Sequence, residues 1–483
     1  MKKINLLCAT VTFLMFTSIS IDTFATDGYF SAGTGTRNKG FAGAGISFIF
    51  SPFSAANNPA GIGFQSQNFR FAVGVGLFNP NRQYTVIGNP TTPDQWYGPA
   101  GTVDPRYARF GLTPGTVESG SQYFPVPTLA FTFKFGDKNA FGINLWGNGG
   151  MNTDYDTKTY RSEIIASFGD PMPDGNPNPM ANVTMPTGVN ISQMFMSLTY
   201  ARVLGENHSI GISPIFVYQS FAAEGLQAFR DMGMAGFPGA PNSRYDYVTN
   251  NNGSASTGIG FKIGYQGQLF EGFRLGASVQ PKINMSQFDE YKGLFAEEGD
   301  FDVPLTWTAG ISYDFTENFT LIFDFKQILY GDVKSIANPM IASEMQPMIP
   351  NPAWQGPGDP NVMIPNPTWE QLGNENGAGF GWDDMNIFKI GAEYRFEKWE
   401  LRAGYSHGGQ PIGTDDVMFN ILAPGLIEDH LSLGFTRYLG EHALHFAFTY
   451  AFNHAVEGPN PFDENQMIKI EMNQLEVELA FTF

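Results

Sequence analysis

Six histidines, His208, His407, His430, His442, His445 and His454, are the first residues to test for catalysis or metal binding. His442 and His445 are three apart, and on a strand that spacing sends them to opposite faces, so they cannot share an ion. No H-E-x-x-H, G-x-S-x-G or Walker-type phosphate loop occurs. Gly40, Gly43 and Gly45 lack the strand-then-helix setting of a dinucleotide site. The carboxylate pairs Asp383-Asp384 and Asp415-Asp416 fall in predicted loops, where solvation or loose cation contact is the ordinary role. The sequence therefore assigns no catalytic residue, no metal ligand and no cofactor, and reads as a non-enzyme.

The composition points to a different kind of chemistry. Charged residues make up only 15%, aromatics also reach 15%, and Phe alone numbers 45. The chain opens with Lys2 and Lys3, an apolar run from Ile4 to Ile21, and the small-x-small stretch Thr23-Phe24-Ala25. That is the pattern of a secretory signal peptide over residues 1–25. Cys8, the one cysteine, lies inside it, so an exported chain would hold together without disulfides. The formal charge is −19, and nothing clusters Lys and Arg as nucleic acid requires. After Ala25 no stretch supplies the ~18 consecutive apolar residues of a membrane helix.

Strands carry the apolar residues instead. Fourteen segments alternate with a period of two: 68–78, 126–135, 140–147, 193–203, 209–219, 257–266, 272–282, 302–314, 318–326, 385–396, 399–406, 430–438, 442–453 and 469–483. In the last, Leu475, Val477, Leu479, Phe481 and Phe483 hold one parity. The opposite parity carries Arg70, Lys134, Lys262, Asp324, Lys326, Lys389, Glu393, Arg395 and Arg402 across the set. One strand alone fits a soluble sandwich or a membrane barrel equally well.

The connections separate the two. Short ones (136–139, 204–208, 267–271, 315–317, 397–398 and 439–441) alternate strictly with long ones (79–125, 148–192, 220–256, 283–301, 327–384, 407–429 and 454–468). A sandwich has no reason to gather every long loop at one end, whereas a barrel inserted from the periplasm does. The expectation is an all-β, fourteen-stranded antiparallel transmembrane barrel, apolar outward and polar inward, closed because an open edge in lipid would leave backbone groups unpaired. It would sit in the outer membrane of a Gram-negative bacterium with the N-terminus periplasmic. Its partners would be outer-membrane lipid and lipopolysaccharide, and the barrel-assembly machinery that reads Phe483; no nucleic-acid partner is expected. The absence of repeated inter-barrel motifs favours a monomer.

Residues 26–66 have no alternation, are rich in Gly, Ala and Asn, and are too short to form a core of their own. They read as a plug of short helices and coil ahead of the barrel at 67–483. Within it Ser51 to Ala56 suggests a helical turn with Ser51 as cap and Pro52 at the first position, and Asn57-Asn58-Pro59 a sharp turn. The loop 327–384 repeats itself, Met348-Ile349-Pro350-Asn351-Pro352-Ala353-Trp354 returning as Met363-Ile364-Pro365-Asn366-Pro367-Thr368-Trp369. Met and Trp give such a loop adaptable apolar surface.

Gly28-Tyr29-Phe30, Gly43-Ala44-Gly45, Asn58-Pro59-Ala60-Gly61, Pro304-Leu305, Leu401-Arg402-Ala403-Gly404-Tyr405 and Asp429-His430-Leu431-Ser432-Leu433-Gly434 resemble the FadL, TodX and OmpP1 family of outer-membrane transporters for long-chain fatty acids and other hydrophobic compounds. The resemblance spans the chain after the leader. It implies passive transport: a hydrophobic ligand is caught among extracellular loops, enters a lumen pocket, shifts an N-terminal hatch and leaves through the wall. On this resemblance the hatch residues are Gly28, Tyr29, Phe30, Asn58, Pro59, Ala60 and Gly61. The loop-capture residues would be Met348, Trp354, Met363 and Trp369, and the exit would fall at Gly147, Gly149 and Gly150, where glycines weaken strand pairing. For a fatty acid, Arg70, Lys134, Lys326, Arg395 or Arg402 could meet the carboxylate, or be held instead by Glu393, Asp324 and Glu400. The alternatives are an aromatic-hydrocarbon channel of the same family, and a display or adhesin barrel with little transport.

Overall fold

The computed structural model describes residues 27–48, 51–90, 111–157, 159–160, 186–350 and 363–483; the predicted leader and Trp354 lie outside them. Fourteen strands form one antiparallel ring: β1 Phe69–Ile87, β2 Phe124–Phe135, β3 Asn139–Tyr155, β4 Thr187–Leu204, β5 His208–Glu224, β6 Ser254–Phe270 and β7 Phe273–Gln280 make its first half. The second half is β8 Thr306–Thr316, β9 Phe319–Ile328, β10 Met385–Arg395, β11 Trp399–Gly408, β12 Asp429–Leu439, β13 His442–Asn460 and β14 Asp463–Thr482. Each pairs with its sequence neighbour, and β1 closes on β14 from Ala72↔Thr482 to Ile87↔Met467. Val75, Leu77, Ile212, Phe261, Ile390, Leu433 and Leu479 point outward and are exposed, while their neighbours point in and are buried. An exposed apolar belt around a closed ladder is stable in lipid and costly in water. This is a transmembrane β-barrel.

Several strands run further than their alternation indicates. β1 continues to Ile87, β3 to Tyr155 and β4 begins at Thr187. The expected long connection 454–468 shrinks to Pro461 and Phe462, because β13 and β14 extend as a hairpin. The reason lies in the side chains. A register shift at Ala451/His454 changes which residues face in, and above it Val456, Ile468, Ile470 and Met472 turn apolar groups into the lumen. An outward-apolar pattern that becomes inward-apolar loses its period in the sequence.

The same switch corrects the expectation of a polar lumen. Near the short turns the inward positions are small or polar: Ser197, Thr199, Ser209, Gly211, Ser213, Glu393, Arg402 and Glu478. Towards the long loops they become Trp146, Val189, Ile191, Phe195, Ile215, Val217 and Phe221. Loop residues including Phe229, Phe288, Tyr291, Phe295, Phe301, Tyr330, Trp382 and Phe419 fold back onto this layer in one continuous apolar cluster. The long loops thus roof the barrel with a hydrophobic core of their own. The repeated loop motifs pair with each other in a small hairpin, Met348–Pro350 against Met363–Pro365, with Ile349 opposite Ile364.

Candidate functional site

The lower lumen is where residues 27–48 and 51–66 meet the wall. They form helix α1 Thr36–Lys39, helix α2 Ser54–Asn57 and a 3-10 turn Pro59–Phe64. The α2 turn begins later than a Ser51 cap would place it: the Ser51 hydroxyl instead accepts the Phe53 N–H at 3.2 Å, closing a local turn first. Asn58 is the cap that matters. Its side-chain oxygen accepts the Ala60 N–H, and its amide donates to Ile46 O at 2.8 Å and to Tyr265 O of β6 at 2.9 Å. Pro59 then starts the 3-10 turn, where a missing N–H costs nothing, and Ser209 of β5 donates to Ala60 O. Gly61 N–H returns to Asn58 O.

The wall accommodates this segment with glycines. A Cβ at Gly211 would lie 2.4 Å from Pro59 C, one at Gly276 2.3 Å from Ile46 O, and one at Gly404 2.1 Å from Phe41 C. The obstacles are backbone atoms, which cannot swing aside as a side chain can. Only glycine lets the two chains lie this close.

Buried charge fixes the segment on the β9–β14 side. Arg37 and Arg402 share Glu393 and Glu400, Arg402 Nε standing 3.0 Å from Glu393. Lys39 Nζ sits 2.5 Å from Glu476 and 2.7 Å from Glu478. Asp324 accepts the Gly45 and Ile46 N–H groups at 2.6 and 2.9 Å. Asp27 takes Lys326 at 2.8 Å and Lys389 at 3.0 Å on one carboxylate oxygen.

On the opposite side the segment leans on β3. Ser31 N–H donates to Asn148 O at 2.7 Å and Gly150 N–H donates to Tyr29 O at 2.9 Å, with Phe30 bridged to Gly149. Here β3 carries a bulge between Gly147 and Gly149. Its ladder with β2 runs only from Phe135↔Asn139 to Leu129↔Leu145, although both strands continue upward. Residues 124–128 and 146–150 therefore flank a seam without ladder pairing. Gly28, at φ +67, turns the chain under Tyr330. Tyr330 donates to Asp27 O at 2.6 Å and receives the Tyr29 N–H, while the buried Tyr29 ring packs among Phe30, Phe301, Tyr330 and Trp382.

Between these contacts lies a cavity of about 70 Å³, lined by Phe30, Trp146, Asn148, Lys262, Asp324, Lys326 and Lys389. It has room for a few waters or one carboxylate. Three ammonium groups meet two carboxylates here, and among the described residues Lys262 has a carbonyl, Ala56 O at 2.6 Å, rather than an acid for its partner. Of the five cations singled out from sequence, Lys326 alone lines this cavity. Arg402 and Arg395 are engaged with Glu393, Arg395 also with Asp314. Arg70 stands at the short-turn mouth beside Arg37 and Tyr438, and Lys134 is half-buried near the end of β2. Asp27 and Lys389 were missing from that selection. Lys389 had the inward parity, but Asp27 pairs across some 300 positions of sequence and left no local signal.

No family model and no curated protein matches the sequence. Solved structures match over nearly the whole chain. The Pseudomonas putida toluene transporter TodX is 15% identical, with 93% of this chain and 98% of that one covered at a TM-score of 0.59. A Pseudomonas aeruginosa FadL homologue gives 16%, 94%, 99% and 0.58, and the Ralstonia pickettii toluene transporter TbuX 17%, 93%, 98% and 0.55. The fold is that of the FadL and TodX channels.

Above the cavity the described residues pack closely. Phe221, Leu226, Phe229, Phe295, Phe380 and Phe419 surround a void of about 20 Å³, space for one water, so anything passing here must displace side chains. One loop carries a carboxyl whose surroundings favour its protonated form. Between β7 and β8, burial and the neighbouring Asp302 carboxylate push the Asp300 carboxyl up to about 7. A folded value above the ordinary 3.8 means the folded loop holds the extra proton, so its stability falls as pH rises from 3.8 to about 7 and levels off above. The Ile283 and Val303 amides, which bond each other's carbonyls at 2.9 and 3.1 Å, should show stronger hydrogen-exchange protection at about pH 5 than at about pH 8, corrected for intrinsic rates. Asp300→Asn should abolish the difference; a difference that persists in the variant would assign it elsewhere.

Proposed function

We propose that this chain is a passive outer-membrane channel for hydrophobic compounds, with long-chain fatty acids the class its lumen fits best. The observation that carries the choice is the lysine-lined cavity at the seam of β3. An acyl chain gains ~0.8 kcal/mol per buried CH₂ in the aromatic layer above, and its carboxylate is the acid partner that Lys262 lacks among the described residues. The solved structures of this fold include toluene transporters, but a hydrocarbon offers Lys262 nothing. Residues 27–66 act as the hatch, with the N-terminus and short turns on the periplasmic side. A ligand carboxylate competes with Asp27 for Lys326 and Lys389; release of Asp27 frees Tyr29 to Ser31 from β3 and uncovers the seam at Gly147 to Gly150, through which the ligand leaves sideways. Met348, Met363 and Trp369 lie on the loop hairpin and its flank, where capture would begin. A display barrel would need neither a charged hatch anchor nor a glycine-lined seat for it.

The test is substrate discrimination. In cells lacking their own transporter, Lys262→Met should cut uptake of labelled oleate about tenfold or more while changing toluene entry less than twofold, since one charge-assisted contact is worth roughly 1.5–3 kcal/mol. Equal loss for the two ligands would remove the carboxylate from the reading.

A further inference from the structure

A large concavity lies outside the barrel, in the lipid-facing wall. It spans β4 to β8 with a volume of about 760 Å³. Two rows of outward side chains border it. Arg202, Ile210, Tyr265, Ala277 and Ala309 follow one line of cross-strand partners, and Tyr200, Ile212, Ile263, Val279 and Trp307 the next. The depth comes from Ala277 and Ala309, short side chains set beside Tyr265 and Trp307.

One border is polar. Arg202 is two residues from the end of β4 and exposed on the lipid side, and its guanidinium has no ion pair or hydrogen bond among the described residues. The Tyr200 hydroxyl reaches Asn139 at 2.8 Å and the Tyr265 hydroxyl meets His208 at 2.8 Å, so both phenols aim at the short-turn end. Tyrosine hydroxyls mark the depth at which hydrocarbon gives way to headgroups. A guanidinium at that depth, over an apolar trough, has the layout that binds a phosphate and an acyl chain together.

We propose that this trough is a specific site for a glycerophospholipid of the periplasmic leaflet, its phosphate on Arg202 and one acyl chain across Ala277 and Ala309. The assignment of leaflet rests on the orientation proposed above. The site lies on the far side of the wall from the hatch: Gly211 and Gly264 form part of its floor and touch Pro59 and Asn58 on their inner face.

Native mass spectrometry of the full chain in mild detergent, with added phosphatidylglycerol, phosphatidylethanolamine or lipopolysaccharide, reads the site directly. Wild type should keep one phospholipid through detergent exchange, with either headgroup. Arg202→Gln should reduce retention about tenfold, and Ala309→Phe should abolish it in barrels that still show heat-modifiable mobility. Equal retention in wild type and the two variants, or none in wild type, overturns the site. Retention of lipopolysaccharide in place of phospholipid, lost with Arg202→Gln, would also overturn the assignment and would place the fault in the orientation rather than in the trough.

Discussion

Replacing Gly149 with valine should open the barrel without unfolding it. A Cβ there would stand 1.9 Å from Tyr29 O and 2.9 Å from Phe30 Cα, both backbone atoms. The N-terminal stretch must retreat from β3, losing the Ser31 to Asn148 and Gly150 to Tyr29 hydrogen bonds, roughly 1 kcal/mol each. It also draws the Tyr29 ring out of its aromatic setting. The ladder of β3 with β4 runs on outside the contact, so the ring of strands should still assemble and remain heat-modifiable. In planar bilayers the variant should conduct ions several-fold more than wild type. Gly409→Ala, where an added Cβ meets nothing within 4 Å, should behave as wild type. A tight Gly149→Val barrel would mean that the hatch does not seal against this seam.

The second large effect lies on the opposite side of the lumen. Lys39→Met leaves the buried Glu478 and the largely covered Glu476 close together without their shared cation. Removing one partner from a buried ion cluster costs about 3–5 kcal/mol. Refolded into vesicles, the variant should unfold at lower urea concentration, and amides of residues 36–45 should lose exchange protection before those of the strands. Converting Glu476 and Glu478 to leucine in the same chain should restore much of the loss, because the penalty is stranded charge rather than missing attraction. A single variant within about 1 kcal/mol of wild type would show that the charges do not fasten the hatch.

These two contrasting sides, a backbone contact at β3 and an ionic one at β9 to β14, were unequally visible in the sequence. The outward face was plain, because lipid demands an apolar residue at every second position, and fourteen segments such as Leu475 to Phe483 obey it. The inner face follows no such rule. Arg402 and Glu393 were legible as inward-facing residues, and their ion pair followed from adjacent strands. Asp27 with Lys326 and Lys389 was not legible, since that contact depends on how a coil lies inside a closed ring. The upper strand ends escaped for a related reason: once Ile468, Ile470 and Val456 turn inward towards the loops, apolar residues no longer report which side faces lipid. Gly149 was noted as a weak point in a strand, but only the fold shows that its missing side chain makes room for Tyr29.

The central claim is that hydrophobic ligand passes through this barrel, and uptake measures it most directly. Labelled oleate should enter cells that lack their own transporter several-fold faster when they express the full chain than when they carry an empty vector, without dependence on ATP or on the proton gradient. Entry at the empty-vector rate, with folded barrel present in the outer membrane, would contradict the account.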